Sequence, residues 1–134
     1  MLNIITTRAQ YGMTGFGSPA TEYKELGLNL TSYLIRHPEA TYLCFDEGDS
    51  MTGDGIFSGD LLIISEAVEV KNGDIIVATL NGDFVCKKID TKNQRLLSSG
   101  KGFSNYQIRE GEEFLVKGVV ISSVRMHSKF TKSL

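Results

Sequence analysis

Gly48-Asp49-Ser50-Met51 sets a serine between a glycine turn and an apolar residue, and such a hydroxyl needs only a base to become a nucleophile. Further along, Asp83-Phe84-Val85-Cys86-Lys87-Lys88-Ile89 carries two adjacent lysines. By themselves both segments are ordinary. Gly-Asp-Ser is a common turn, and a lysine pair also reads as surface side chains on an edge strand. Histidine chemistry has little to draw on: His37 precedes Pro38, as a turn residue would, and with His127 as the second histidine neither a zinc cluster nor a Ser-His-Asp triad is expected. The acids Asp46, Glu47, Asp49, Asp54 and Asp60 lack the order of a calcium loop and read as solvated turns. No phosphate-binding or dinucleotide fingerprint appears, so neither a cofactor nor a metal is expected.

The order of segments around these residues is more specific. Between the serine and the lysines come Gly55-Ile56, Ser58-Gly59-Asp60-Leu61-Leu62-Ile63-Ile64 and Lys71-Asn72-Gly73-Asp74-Ile75-Ile76-Val77-Ala78. This succession resembles the LexA/UmuD family of self-cleaving serine peptidases, the S24 peptidases, and within it the UmuD branch. The resemblance runs from about Gly15 to Val124. It implies that Ser50 is the nucleophile and Lys87 the general base of a Ser-Lys dyad, with Lys88 a solvent-facing neighbour and the Asp49 and Ser50 amides forming the oxyanion hole. A lysine acts as a base only when neutral, which requires a pKa well below its ordinary value, and burial among apolar groups can supply that. Strand periodicity sets Val85, Lys87 and Ile89 on one face, although Phe84, Cys86 and Lys88 on the other are also partly apolar. Asp46 and Glu47, just ahead of the nucleophile turn, would favour the ammonium form instead.

The elements that position these residues read as mainly β. Short apolar runs alternate with turns at Thr41–Phe45, Leu61–Ile64, Ile75–Leu80, Phe84–Ile89, Arg95–Ser98 and Glu113–Val124, the last with a break expected at Gly118. Asn81-Gly82 is the favoured two-residue hairpin turn, which predicts that the Lys87 strand pairs antiparallel with Ile75–Leu80. Before the strands, Leu30, Tyr33 and Leu34 behind Asn29 as N-cap predict a short helix, ended by Pro38.

A chain of 134 residues with 41% hydrophobic and 22% charged residues suits one globular domain rather than a disordered chain or a coiled coil. The net charge of −2 and scattered basic residues speak against direct nucleic-acid binding. Cys44 and Cys86 sit in strand-like runs and read as buried thiols, not a disulfide or ligands. No apolar run is long enough for a membrane span and no export signal is apparent, so a cytoplasmic protein is expected.

Residues 1–21, with Gly12, Gly15, Gly17 and Pro19 among small polar residues, read as a mobile arm, and 22–134 as the β-rich domain. The resemblance makes the arm the substrate, cut between Thr14 and Gly15. Thr14 stands where relatives have a small residue and Gly17 where they have the first proline, so an accessory protein whose arm stays uncut is the alternative reading. The resemblance further implies a homodimer, cleavage stimulated by a RecA-DNA filament, and service of the shortened chain to a UmuC-type Y-family DNA polymerase in the SOS response. The residues before the match are too few for a helix-turn-helix domain, which argues against a repressor.

Overall fold

The computed structural model describes residues 29–128. The expected arm 1–21, the bond between Thr14 and Gly15, and the boundary at 21/22 lie outside the described residues. The chain divides into two units, Met1–Arg36 and His37–Leu134. In the first, the described segment is the expected helix, α1 (Leu30–Leu34). The Asn29 side chain accepts the Ser32 amide at 3.1 Å, and the Ile35 amide closes the last turn on the Thr31 carbonyl.

The second unit is mainly β. Its strands are β1 (Thr41–Phe45), β2 (Leu61–Ser65), β3 (Ile75–Leu80), β4 (Asp83–Asp90), β5 (Arg95–Leu97), β6 (Tyr106–Gln107) and β7 (Phe114–Val124). They form one sheet in the order β1-β2-β7-β3-β4-β5-β6, antiparallel throughout. Asn81 and Gly82 both have positive φ, 51° and 90°, as the two-residue hairpin turn requires, and they set the Leu80–Asp83 register that places Lys87 opposite Ile76.

Two features depart from the expected strands. β6 is a two-residue strand, too short for alternation to reveal. At Gly118, β7 does not break. It bulges, with the register against β3 passing from Val77–Gly118 to Ala78–Val116. A Cβ at Gly118 would lie 2.6 Å from Ile64 Cγ2, so glycine there permits close approach to β2. The missing side chain serves packing between strands.

Alternation gives the sheet two apolar faces. Met51, Ile56, Leu62, Ile64 and Val77 form one cluster; Ile76, Ala78, Ile89, Leu96 and Val119 form the other. Burying each large side chain contributes roughly 1.5–3 kcal/mol. Among the described residues no helix is long and apolar enough to cross a membrane.

One ion pair ties the far end of the segment between β1 and β2 to the residue that follows β7. Asp60, 1% exposed, receives Arg125 Nε on Oδ1 and Arg125 Nη2 on Oδ2, each at 2.8 Å, and the Phe57 amide on Oδ2 at 2.8 Å. Arg125 also donates to the Gly55 carbonyl at 2.8 Å and lies over the Phe57 ring, 4.2 Å from its centroid. Arg125 thereby holds the Asp60 carboxyl below its ordinary value of 3.8, against the opposing effect of burial. The stability this carboxylate contributes is complete above its ordinary value and is lost as pH falls through the depressed one. Arg125→Met should lower the urea midpoint at neutral pH, and the gap to wild type should narrow below about pH 4 as Asp60 protonates in both chains.

Candidate functional site

The turn that carries Ser50 begins where β1 ends. Asp46 donates its amide to the Asp60 carbonyl and accepts the Gly59 amide, each at 2.8 Å, so the chain leaves β1 on a fixed path. Gly48, at φ +95°, then turns it into Asp49 and Ser50, a conformation that L side chains rarely adopt. Met51, 1% exposed, plugs the first apolar cluster, and its carbonyl accepts the amides of Asp54 at 3.0 Å and Ile56 at 3.2 Å. A single 3₁₀ turn, Thr52–Asp54, follows. Ser50 is thus half-buried at the rim of the core, directly before a side chain that anchors it.

Lys87 reaches the same region from β4. It is half-buried, and its Nζ donates to Ser98 Oγ at 2.8 Å and lies 5.6 Å from the centre of the Phe103 ring. Burial lowers its pKa from the ordinary 10.5, while Cys86 and Asp46 push the other way. Of the two carboxylates ahead of Gly48, Asp46 is the one whose charge bears on Lys87.

Lys88 behaves differently. Rather than facing solvent freely, it is paired with Asp54 at 2.6 Å, its side chain 35% exposed, and Asp54 is held below the ordinary carboxylate range chiefly by this hydrogen bond and then by one from Ser99. The second lysine therefore ties β4 to the turn that follows Ser50, and its cation is already engaged.

Ser50 and Lys87 share no hydrogen bond; the segment after β5 links them. The Ser50 carbonyl accepts the amides of Ser99 and Gly100, each at 2.8 Å, while the adjoining Ser98 hydroxyl holds Lys87. The two backbones meet without space for side chains. A Cβ at Gly100 would fall 1.9 Å from the Asp49 carbonyl oxygen, and one at Gly53 would fall 2.5 Å from the Ser99 carbonyl oxygen. Among the described residues no acceptor takes the amide of Asp49 or Ser50.

Sequence reasoning passed over this segment, taking Arg95–Ser98 only as a strand. The pair of glycines behind Ser98-Ser99 is the signal that could have marked it, since Gly100 and Gly102 flank a short polar turn.

Beside the turn runs a groove of about 450 Å³, lined among others by Tyr42, Cys44, Asp46, Leu62, Val77 and Cys86. Phe45 and Phe84, 70% and 72% exposed, also line it and add apolar surface. Both cysteines are free thiols, but each is half-buried where buried thiols were expected. Burial pushes Cys86 up to about 12 and raises Cys44, so neither offers a thiolate at neutral pH.

The contact of Gly100 on the Ser50 turn has a direct consequence. Gly100→Ala must displace the 49–50 peptide or the 98–100 segment. It should cost about 1–3 kcal/mol in urea unfolding, typical of overpacking, and shift the amide resonances of residues 49–51 and 98–100 more than those of β3.

With the geometry in hand, comparison with known proteins gives a consistent picture. Residues 4–121 match the family described as Peptidase S24-like. The chain is 35% identical to Protein ImpA of Salmonella typhimurium over 106 residues, covering 79% of this chain and 73% of that one. It is 35% identical to Protein MucA of Escherichia coli over 115 residues, covering 84% and 79%. It is also 34% identical to the LexA repressor of Bordetella avium over 123 residues, 87% of this chain but 56% of the repressor. The match spans β1 to most of β7 and includes the Ser50 turn, the Lys87 strand and the segment that joins them; the chain belongs to the peptidase S24-like family.

Proposed function

We propose that this chain is a UmuD-type serine peptidase that removes its own N-terminal arm, with Ser50 as nucleophile and Lys87 as general base. One observation carries the reading: a half-buried lysine of lowered pKa is bonded to the same short segment whose amides clasp the Ser50 carbonyl. Neutral Lys87 takes the Ser50 proton as Oγ attacks the Thr14 carbonyl. The Asp49 and Ser50 amides, which have no other acceptor among the described residues, suit the developing oxyanion. Lys87 then gives that proton to the departing Gly15 nitrogen, leaving the Thr14 ester on Ser50. Water, losing a proton to Lys87, hydrolyses the ester, and the proton returns to Ser50 Oγ.

In this proposal residues 1–21 are the arm and 22–134 the peptidase domain. The shortened chain acts as a homodimer and accessory subunit of a Y-family lesion-bypass polymerase, and a RecA-DNA filament stimulates cutting as part of the SOS response. The Thr14 position favours a second reading, an accessory protein that keeps its arm, because a β-branched residue suits a small pocket poorly.

Incubating the purified chain at alkaline pH separates the two. Self-processing yields a product that begins at Gly15 by mass spectrometry, and Ser50→Ala and Lys87→Ala each abolish it without unfolding the domain. Their losses should not add, since each residue acts through the other. An intact wild-type chain would favour the uncut accessory protein.

The rate should rise with pH and level off once Lys87 is neutral, at a pH below that of an ordinary lysine because burial lowers its pKa. Asp46 stabilises the ammonium form, so Asp46→Asn should move the midpoint of the rate profile to lower pH. An unmoved midpoint would show that Asp46 is not coupled to the base.

A further inference from the structure

We propose that Ser98 is the positioning residue for Lys87, its hydroxyl holding the amine beside Ser50 so that the neutral lone pair is free to take the serine's proton. This inference rests on the reading of Ser50 and Lys87 as nucleophile and base.

Lysine is a poor base to place. Its stem has four rotatable carbons' worth of freedom, and the ordering of that stem opposes any single geometry. β4 cannot hold the amine, because Val85 and Ile89, the neighbours of Lys87 on its face of the strand, are aliphatic. The hydrogen bond comes from the end of the neighbouring strand, where Ser98 Oγ accepts from Lys87 Nζ at 2.8 Å. A neutral amine has two N–H groups and one lone pair. With one N–H on Ser98, the lone pair is confined to a narrow cone instead of sweeping a sphere.

Ser98 is itself well fixed, and fixed to the right partner. Its amide donates to Asn105 Oδ1 at 3.1 Å, and the next two amides donate to the Ser50 carbonyl. The close contact of Gly100 with the Asp49 carbonyl allows little sliding between the two strands of backbone. The Ser98 oxygen therefore moves with the Ser50 turn, and a displacement of the nucleophile carries the base's anchor with it.

The groups facing Lys87 define what a titration must separate. Asp46 on the turn after β1 and Cys86 on β4 are the ionisable ones. The segment after β5 presents the Ser98 hydroxyl and the Phe103 ring, neither of which ionises in the range concerned. A hydroxyl accepting from the ammonium stabilises the charged form, as does a ring face, so removing Ser98's oxygen should make Lys87 easier to deprotonate while leaving it poorly aimed.

The test uses the full chain with Ser98→Ala and Ser98→Thr. Self-cleavage of Ser98→Ala should level off about tenfold below wild type, with its midpoint displaced to lower pH, as expected for loss of one charge-assisted hydrogen bond. Ser98→Thr keeps the hydroxyl and should recover most of the rate and the wild-type midpoint. A purely structural effect would lower the rate and the melting temperature together and leave the midpoint in place. In the non-cleaving Ser50→Ala background, the ¹³Cε resonance of Lys87 should titrate at lower pH when Ser98 is also alanine. A wild-type plateau or faster cleavage in Ser98→Ala, or a Lys87 titration that does not move, overturns the proposal. If the wild-type chain never cleaves but the Lys87 titration still moves, the peptidase reading fails while the bond between Ser98 and Lys87 stands.

Discussion

The rest of the site depends on the clasp of the Ser50 carbonyl by the amides of Ser99 and Gly100. Two segments nearly fifty positions apart meet there backbone to backbone, with glycines on both sides because any Cβ would collide. Two amide hydrogen bonds in a partly buried setting contribute about 1 kcal/mol each. Their larger effect is geometric. Met51 roots the turn in the core, the clasp fixes its outer side, and Lys88 with Asp54 closes the third side.

Electrostatically, Lys87 is held in a balance. Burial drives its pKa down, whereas Asp46 and Cys86, the Ser98 oxygen and the face of Phe103 all favour the cation. Desolvation is the largest influence, so the balance falls on the side a general base needs. Lys88, one residue on, points to the opposite face of the strand and finds a carboxylate instead. The different settings of these adjacent lysines follow from the period of two in a strand.

Farther out, the sheet supplies rigidity where the site needs it. β7 lies between β2 and β3 and bulges against each, against β3 near Gly118 and against β2 beyond Val120. Its end delivers Arg125 to Asp60, locking the 55–60 turn that runs back toward the Asp46 backbone. The groove beside the site is lined by β1 and β4, which are not neighbours in the sheet order, together with Leu62 of β2 and Val77 of β3.

How much of this was legible in the residues themselves divides along physical lines. Local rules settled the helix behind Asn29, the hairpin at Asn81-Gly82, most strand positions and hence which face of β4 carries Lys87, because caps, positive-φ turns and alternation act over a few residues. The ordered motifs from Gly48 to Lys88 were enough to indicate the family, and the roles proposed for Ser50 and Lys87 follow from that resemblance. The two-residue β6 and the bulge at Gly118 could not be read, since short pairing and close approach to Ile64 and Ser65 are decided by the partner strand. Ser98 was likewise silent, being one hydroxyl among many in a polar turn. Only the tertiary structure brings it to Lys87 and Ser99 to Ser50, because long-range hydrogen bonds are set by how strands register and curl together and leave no periodic trace along the chain.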